Sequence, residues 1–556
     1  MFVFAAVLFY IGVIRQPEVH IERKNEAAHA SADILEEIAR EYNEKGVSLT
    51  VNHEEIEDNI YQVYISNKLE IMVPVETFVD KMNCSVNVYA NGTVTLEKGD
   101  NKVKVYMGSV LANINGLSTQ IAEKPEDKDG QLFIPVNDIC EELNYTCAFD
   151  YETNHVTLNR IAAEDKLPEK YDMREYDRVT AVRDQGQYGT CWAFASLAAL
   201  ETTLTPGERL QFSVDHMTLN NSFSSDQMGG GQYRMSIAYL AAWQGPVLEK
   251  DDPYGDGETV DGLKAVKHLE EAQIIDNKDY EAVKSAIYKY GGVETVIYCD
   301  MTSAYSSSYY YNKDRASYYY NGGKATNHDI VIVGWDDNYP KEFFNIEPEG
   351  DGAFICKNSW GTEFGDKGYF YVSYCDVNIC NTSVVYTKLG DSDNYDKIYQ
   401  SDLLGWDGVL GYNDEEAYFA NVYRAGKNEN LEAVSFYATG NRTSYAVYVV
   451  TDFNSKEDLT NRTLVASGEM EYSGYYTINL NEPVKLPDNK KFAVIVHINT
   501  PDSELPIAIE YNADSMTESF DITDGEGYIS LYGNTWYSAE EDRDCNVCLK
   551  AFTSKR

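Results

Sequence analysis

The stretch Gln185-Gly186-Gln187-Tyr188-Gly189-Thr190-Cys191-Trp192-Ala193-Phe194-Ala195-Ser196 decides the reading of this chain. A glycine-bearing loop runs into Trp192–Leu204, where Ala, Leu and Ser dominate and predict a helix. Cys191 then falls at or just before the first helical turn. Unsatisfied backbone N–H groups and the positive dipole end favour a thiolate there. Gln185, six residues upstream, can turn its side-chain amide toward the same point. The layout suits a cysteine nucleophile with an oxyanion site beside it.

Three more segments follow in order: Gly229-Gly230-Gly231, then Asn327-His328-Asp329-Ile330-Val331-Ile332-Val333-Gly334-Trp335, then Lys357-Asn358-Ser359-Trp360-Gly361. Together with the Cys191 loop they resemble papain-family cysteine proteases over roughly Leu167 to Lys388. A lone cysteine is more often a small buried hydrophobe, a lone histidine a satisfied core or surface residue, and an asparagine before Ser-Trp-Gly a turn residue. Four ordered motifs outweigh those readings.

The resemblance implies a helical lobe and a β-rich lobe with a cleft between them. It makes Cys191 the nucleophile and His328 its imidazolium partner, then general acid and base. Asn358 would hold the imidazole in plane, with Trp360 shielding that hydrogen bond from water. Gln185 and the Cys191 backbone N–H would form the oxyanion hole. Trp192 and Gly189 would support the nucleophile, and Gly230 and Gly231 would bind extended substrate backbone. The tyrosines at 309–311 and 318–320 read either as cleft lining or as ordinary strand residues. In this family a disulfide usually ties the residue three before the nucleophile to the glycine segment. Here those positions are Tyr188 and Met228, so both halves are missing. From His328 to Asn358 is 30 residues, longer than the compact family connection, and the polar stretch from Asp336 to Asp351 reads as a hairpin-loop insertion.

Length and composition set the frame around this domain. At 556 residues the chain exceeds one ordinary core, and 43% hydrophobic with 24% charged residues is the balance of a folded protein. A formal charge of −44 argues against nucleic-acid binding and against attraction to anionic lipid. Forty-five tyrosines suit β-rich architecture. Ten cysteines are too sparse for a disulfide scaffold. Cys545-x-x-Cys548 lacks nearby partners for zinc and reads as a disulfide or two buried thiols. Phe2–Ile14 is an apolar run of 13 residues, short for a membrane span and right for the apolar core of a signal peptide. It lacks a basic start and a well-placed Ala-x-Ala, so an uncleaved anchor and a buried element stay open beside export.

From Asn25 to Glu44, Ala28, Ile34, Leu35, Ile38, Ala39 and Tyr42 keep helical spacing. Met72-Val73-Pro74-Val75 then recurs as Phe133-Ile134-Pro135-Val136, an offset of 61. Each copy leads to a helix-like stretch and a hairpin, turning at Asn91-Gly92 and Thr153-Asn154. This resembles the stalk-type repeat domain at the N-terminus of copper amine oxidases; no metal-ligand spacing accompanies it, so no copper site is carried over. Beyond Asp391 the β-rich stretches Ala433–Tyr437, Tyr445–Val450, Tyr475–Leu480 and Phe492–Ile498 predict a β-sandwich. They resemble the lectin-like domain that follows some bacterial papain-type proteases.

The expected architecture is a multidomain α+β chain. A signal or anchor segment (1–20) and a helical spacer (21–60) precede an α+β stalk repeat domain (61–160). The papain-like two-lobed protease (165–390) and a lectin-like β-sandwich (391–556) follow. The expected activity is that of an exported or surface-anchored cysteine endopeptidase acting on proteins or peptides. No metal or organic cofactor is implied, and the C-terminal domain is expected to meet cell-wall or glycan ligands. The competing class is a surface adhesin that keeps a protease-like scaffold.

Overall fold

In the computed structural model the described residues run from 36 to 555, apart from 37, 53, 57, 90–91, 99–100, 115–116, 129, 144, 151–152, 161–166, 302–305, 519 and 523. The apolar run Phe2–Ile14 and the positions Ala28, Ile34 and Leu35 lie outside them. The chain divides into two compact units, one ending at Lys166 and one opening at Leu167. No helix among the described residues is long and apolar enough to cross a membrane.

In the first unit the repeat becomes a pairing. Strands Ile71–Pro74 and Gln131–Pro135 lie antiparallel, Val73 opposite Ile134 and Met72 opposite Pro135. Each copy is thus the other's partner, and the two prolines end their strands, where a missing N–H costs no ladder bond. A helix, Val75–Asp80, follows the first copy, and only a 3-10 turn, Glu141–Leu143, follows the second. The hairpins are Ser85–Val88 with Thr93–Lys98, and Tyr145–Asp150 with His155–Arg160. The helical spacer expected over 21–60 needs correcting at its end. Residues 38–45 are helical, but Ser48–Val51 and Glu54–Ile56 are strands, the first running parallel to His155–Arg160. Leu49 and Val51 alternate with Ser48 and Thr50 and are buried in the unit's core, which draws this segment into the sheet.

In the second unit a short strand, Lys170–Asp172, precedes helices Cys191–Leu204, Val214–Leu219 and Tyr233–Ala241, and the chain then turns mainly to strands. Cys191–Leu204 is buried on nearly every face, so it is a central rod rather than a surface helix. Against it lies a sheet in which His328–Asp336 pairs with Val293–Ile297 on one side and Ala353–Lys357 on the other. Residues 337–352 form the loop between His328–Asp336 and Ala353–Lys357, since Asp336 sits opposite Ala353.

This sheet does not stop at residue 390. Lys267–Asp276 pairs with Thr382–Asp391 along one edge and with Ser473–Lys485 along the other. Through that contact it continues into Glu429–Ala438, Leu549–Lys555 and Lys397–Tyr399. At the join Gly474 has φ +147°, and a Cβ there would stand 2.1 Å from the Ala272 carbonyl oxygen, so the approach needs glycine. The sheet's far half faces a six-stranded sheet built on Glu416–Arg424, Thr443–Val450 and Lys491–Asn499, with Phe419, Phe436, Val447 and Val494 between them. That is a β-sandwich sharing one of its sheets with the β-rich lobe. Cys545 and Cys548 are buried free thiols within it.

Candidate active site

Cys191 is the first residue of its helix. Thr190 before it is buried, and its carbonyl accepts the N–H groups of Ala193 and Phe194. Its hydroxyl meets Tyr254 Oη at 2.8 Å, and Tyr254 in turn donates to the Gln185 carbonyl at 2.8 Å. The loop and the helix start are therefore stitched together by one tyrosine.

His328 opens its strand, and strand pairing sets Val331 against Lys357, bringing Asn358 alongside the imidazole. His328 Nε2 and Asn358 Oδ1 lie 2.8 Å apart, both residues buried. Asn358 Oδ1 also accepts the Ser359 N–H at 2.8 Å, which turns the amide oxygen toward the ring. An acceptor at Nε2 places the ring proton there and leaves Nδ1 free to accept. The Trp360 ring covers the imidazole, centroids 4.9 Å apart.

Gln185 is tied to the same segment. Its N–H donates to the Ser359 carbonyl at 2.8 Å, and its Oε1 accepts from Ser359 Oγ at 2.6 Å. Its Nε2 donates to the Tyr188 carbonyl at 2.8 Å, leaving one amide N–H for another acceptor. Gly189 and the glycine segment pack back to back. A Cβ on Gly189 would stand 3.0 Å from Gly230 N, and one on Gly231 would stand 2.4 Å from Trp192 Cε2. Gly230 adopts φ +78° with open space beside it. Thus Gly189 packs on Gly230, and Gly231 packs on Trp192, the residue that follows Cys191. The tyrosines divide: Tyr311 and Tyr318 are fully buried, while Tyr309 is exposed.

The thiol of Cys191 bonds to a residue that the sequence motifs do not single out. Cys191 Sγ donates to Asp329 Oδ2 at 3.4 Å, and among the described residues no hydrogen bond joins it to the His328 ring. A helix N-terminus predicts a depressed thiol pKa. Here burial, then the Asp329 charge, push the thiol up to about 12 against the backbone N–H groups of Asp329 and Trp192. Burial lowers His328 to about 4, opposed by its bond to Asn358, and raises Asp329 to about 7. The signal for Asp329 was present in the sequence: a carboxylate heading the apolar run Ile330–Val333 has no solvent side to occupy. Ser359, the anchor of Gln185, carried no such signal.

Residues 167–387 match the model of the papain family cysteine protease, 398–553 that of the lectin like domain, and 50–158 that of the copper amine oxidase N-terminal domain. Among solved structures, the chain is similar to the cysteine protease and lectin-like domains of Cwp84, a surface layer associated protein of Clostridium difficile. That likeness has a TM-score of 0.61 at 28% identity and covers 70% of this chain and 89% of that one. A Cwp84 structure after propeptide cleavage gives 0.62 at 28%, covering 70% and 99%. The cysteine protease Amb a 11.0101 of Ambrosia artemisiifolia is 30% identical over 212 residues, 37% of this chain and 50% of that protein. A cathepsin L-like peptidase of Aedes aegypti is 28% identical over 229 residues, 39% and 63%. The chain thus spans about half to three-fifths of the length of these curated relatives.

Proposed function

The chain carries a papain-family cysteine protease domain, a lectin-like domain and a copper-amine-oxidase-type N-terminal domain, and from that premise we propose that it is an exported cysteine endopeptidase. Cys191 attacks the peptide carbonyl after its proton passes to the free nitrogen of His328. The imidazolium then protonates the leaving amine, leaving a thioester on Cys191. Water, deprotonated by the same imidazole, hydrolyses the thioester and frees the acid. Asn358 keeps the ring in plane through the transfers. Gln185 Nε2 and the Cys191 backbone N–H receive the charge that develops on the carbonyl oxygen. Gly230 and Gly231 take the substrate backbone in extended form.

The observation that carries this reading is the buried His328–Asn358 hydrogen bond, 2.8 Å long and capped by Trp360, on the segment that also anchors Gln185. A scaffold kept only for adhesion needs none of these. The apolar start of the chain and the likeness to a surface layer associated protease support a place outside the cell, secreted or held at the surface. The lectin-like domain supports targeting to wall or glycan ligands. The test is peptide cleavage by the full-length chain and by residues 167–556, each beside a Cys191→Ala control. Activity that survives Cys191→Ala, or none in either form together with no epoxide labelling of Cys191, would remove the assignment.

A further inference from the structure

Against Cys191 stands an ionisable group to which the Cys191–His328–Asn358 chemistry gives no task. Asp329 stands next to His328 on a strand that continues as four apolar residues, and it is 8% exposed. One oxygen takes the thiol hydrogen bond at 3.4 Å. The carboxylate also borders a crevice of about 20 Å3, room for about one water, lined among others by Arg183, Lys357, Asn358 and Ser359. Neither cation there forms an ion pair or hydrogen bond with it among the described residues. Lys357 Nζ donates to the carbonyl and hydroxyl of Thr180, both at 3.1 Å, and Arg183 faces Glu249 at 3.0 Å and Glu201 at 3.6 Å. From the neighbouring strand comes a second acid. The register sets Val296 opposite Asp329 and Glu294 opposite Val331, so Glu294 and Asp329 share a face. Glu294 is buried, accepts from Ser196 Oγ at 2.7 Å, and is pushed well above the carboxylate range by burial and then by the Asp329 charge. The groups around Asp329 are therefore Cys191, His328, Glu294, Lys357 and Arg183.

Resting on the protease reading above, we propose that Asp329 sets the protonation state of the nucleophile: ionised, it keeps the proton on the Cys191 sulfur; protonated, it lets that proton go. With Asp329 charged, removing the thiol proton would leave two negative groups in contact in a site with little water. The thiol stays neutral and unreactive. When Asp329 takes a proton from solvent, its carboxyl turns from acceptor to donor. The thiol proton moves to the free nitrogen of His328, and the thiolate accepts the Asp329 O–H in its place. Burial holds Asp329 near 7, so the reactive form is an acid-side form, lost as pH rises through that value. Asp329 thus couples the enzyme to the acidity of its surroundings.

The experiment compares the full-length protein with Asp329→Asn across pH 5 to 9, a window that brackets the Asp329 pKa of about 7. Two readouts are taken: the rate constant for iodoacetamide alkylation of Cys191, followed by peptide mass, and kcat/KM on a fluorogenic peptide. In the parent both fall by about tenfold between pH 6 and pH 8, and in Asp329→Asn that fall is absent. A merely structural role would scale both profiles by a constant and leave their midpoints in place. Coincident midpoints in parent and variant overturn the proposal. Asp329→Ser, checked for an unchanged Tm, serves if the asparagine variant misfolds. Alkylation that shifts with Asp329→Asn while no peptide is cut at any pH sinks the protease reading and keeps control of the thiol by Asp329. Cleavage with unshifted profiles does the reverse.

Discussion

At Cys191 two influences oppose each other. The helix start and two backbone N–H groups draw the thiol toward ionisation, while burial and a neighbouring carboxylate hold it neutral. The supporting side chains are unevenly committed. Asn358 spends its oxygen on the imidazole and on Ser359 N–H, so it has one orientation to offer. Asn358→Ala is expected to lower kcat by about 10² with KM little changed, because the ring loses its in-plane hold, as steady-state kinetics would show. Gln185 depends on Ser359 for its own position. Ser359→Ala should therefore lower kcat by a fraction of the about 10²–10³ expected for Gln185→Ala, again without a matching rise in KM. If Ser359→Ala raised KM alone, Gln185 would have no part in holding the transition state.

Among the elements, the helix Cys191–Leu204 and the glycine segment fix each other. A methyl on Gly231 would land inside the Trp192 indole, a rigid ring that is itself buried. Gly231→Ala should therefore displace Trp192 at the first turn and depress kcat/KM through both terms, while Gly230→Ala suffers mainly from its positive φ. Measured with an extended peptide substrate, equal effects from the two changes would argue against the Trp192 contact. Strand Ile507–Glu510 gives a second case. Glu510 is buried, accepts the Leu404 N–H at 2.7 Å and the Asn546 amide at 2.8 Å, and burial followed by the Asp402 charge lifts it to about 8. A carboxyl whose folded pKa is raised adds stability that is full below its unfolded value and is lost as pH climbs through the folded one. Tm should fall between about pH 4 and 8, and Glu510→Gln should remove part of that fall in a calorimetric scan.

On the scale of the whole molecule, the edge Lys267–Asp276 belongs to both the β-rich lobe and the sandwich. Cutting the chain at residue 391 would strip Ser473–Lys485 from that edge and bare Ile274 and its neighbours. Residues 167–391 are expected to aggregate or unfold, whereas residues 167–556 keep the sheet whole. Soluble yield and a cooperative melt of the two fragments would decide it. Gly474→Ala should weaken the same seam inside the intact chain, since the added methyl meets the Ala272 carbonyl.

Local chemistry made much of this protein readable in one dimension. The glycine loop and Ala-rich run announced a cysteine at a helix start. The β-rich stretches Ala433–Tyr437 and Phe492–Ile498 announced their strands through composition within a few residues, and the recurrence of one short motif at an offset of 61 announced a duplicated unit. What the chain order could not carry were the contacts made across a fold. The pairing of the two repeats, the sheet running past residue 390, the anchoring of Gln185 by Ser359 and the meeting of Asp329 with Cys191 all join residues far apart in sequence. Such contacts are chosen by strand register and by the burial of whole faces, so only the packed structure could select them.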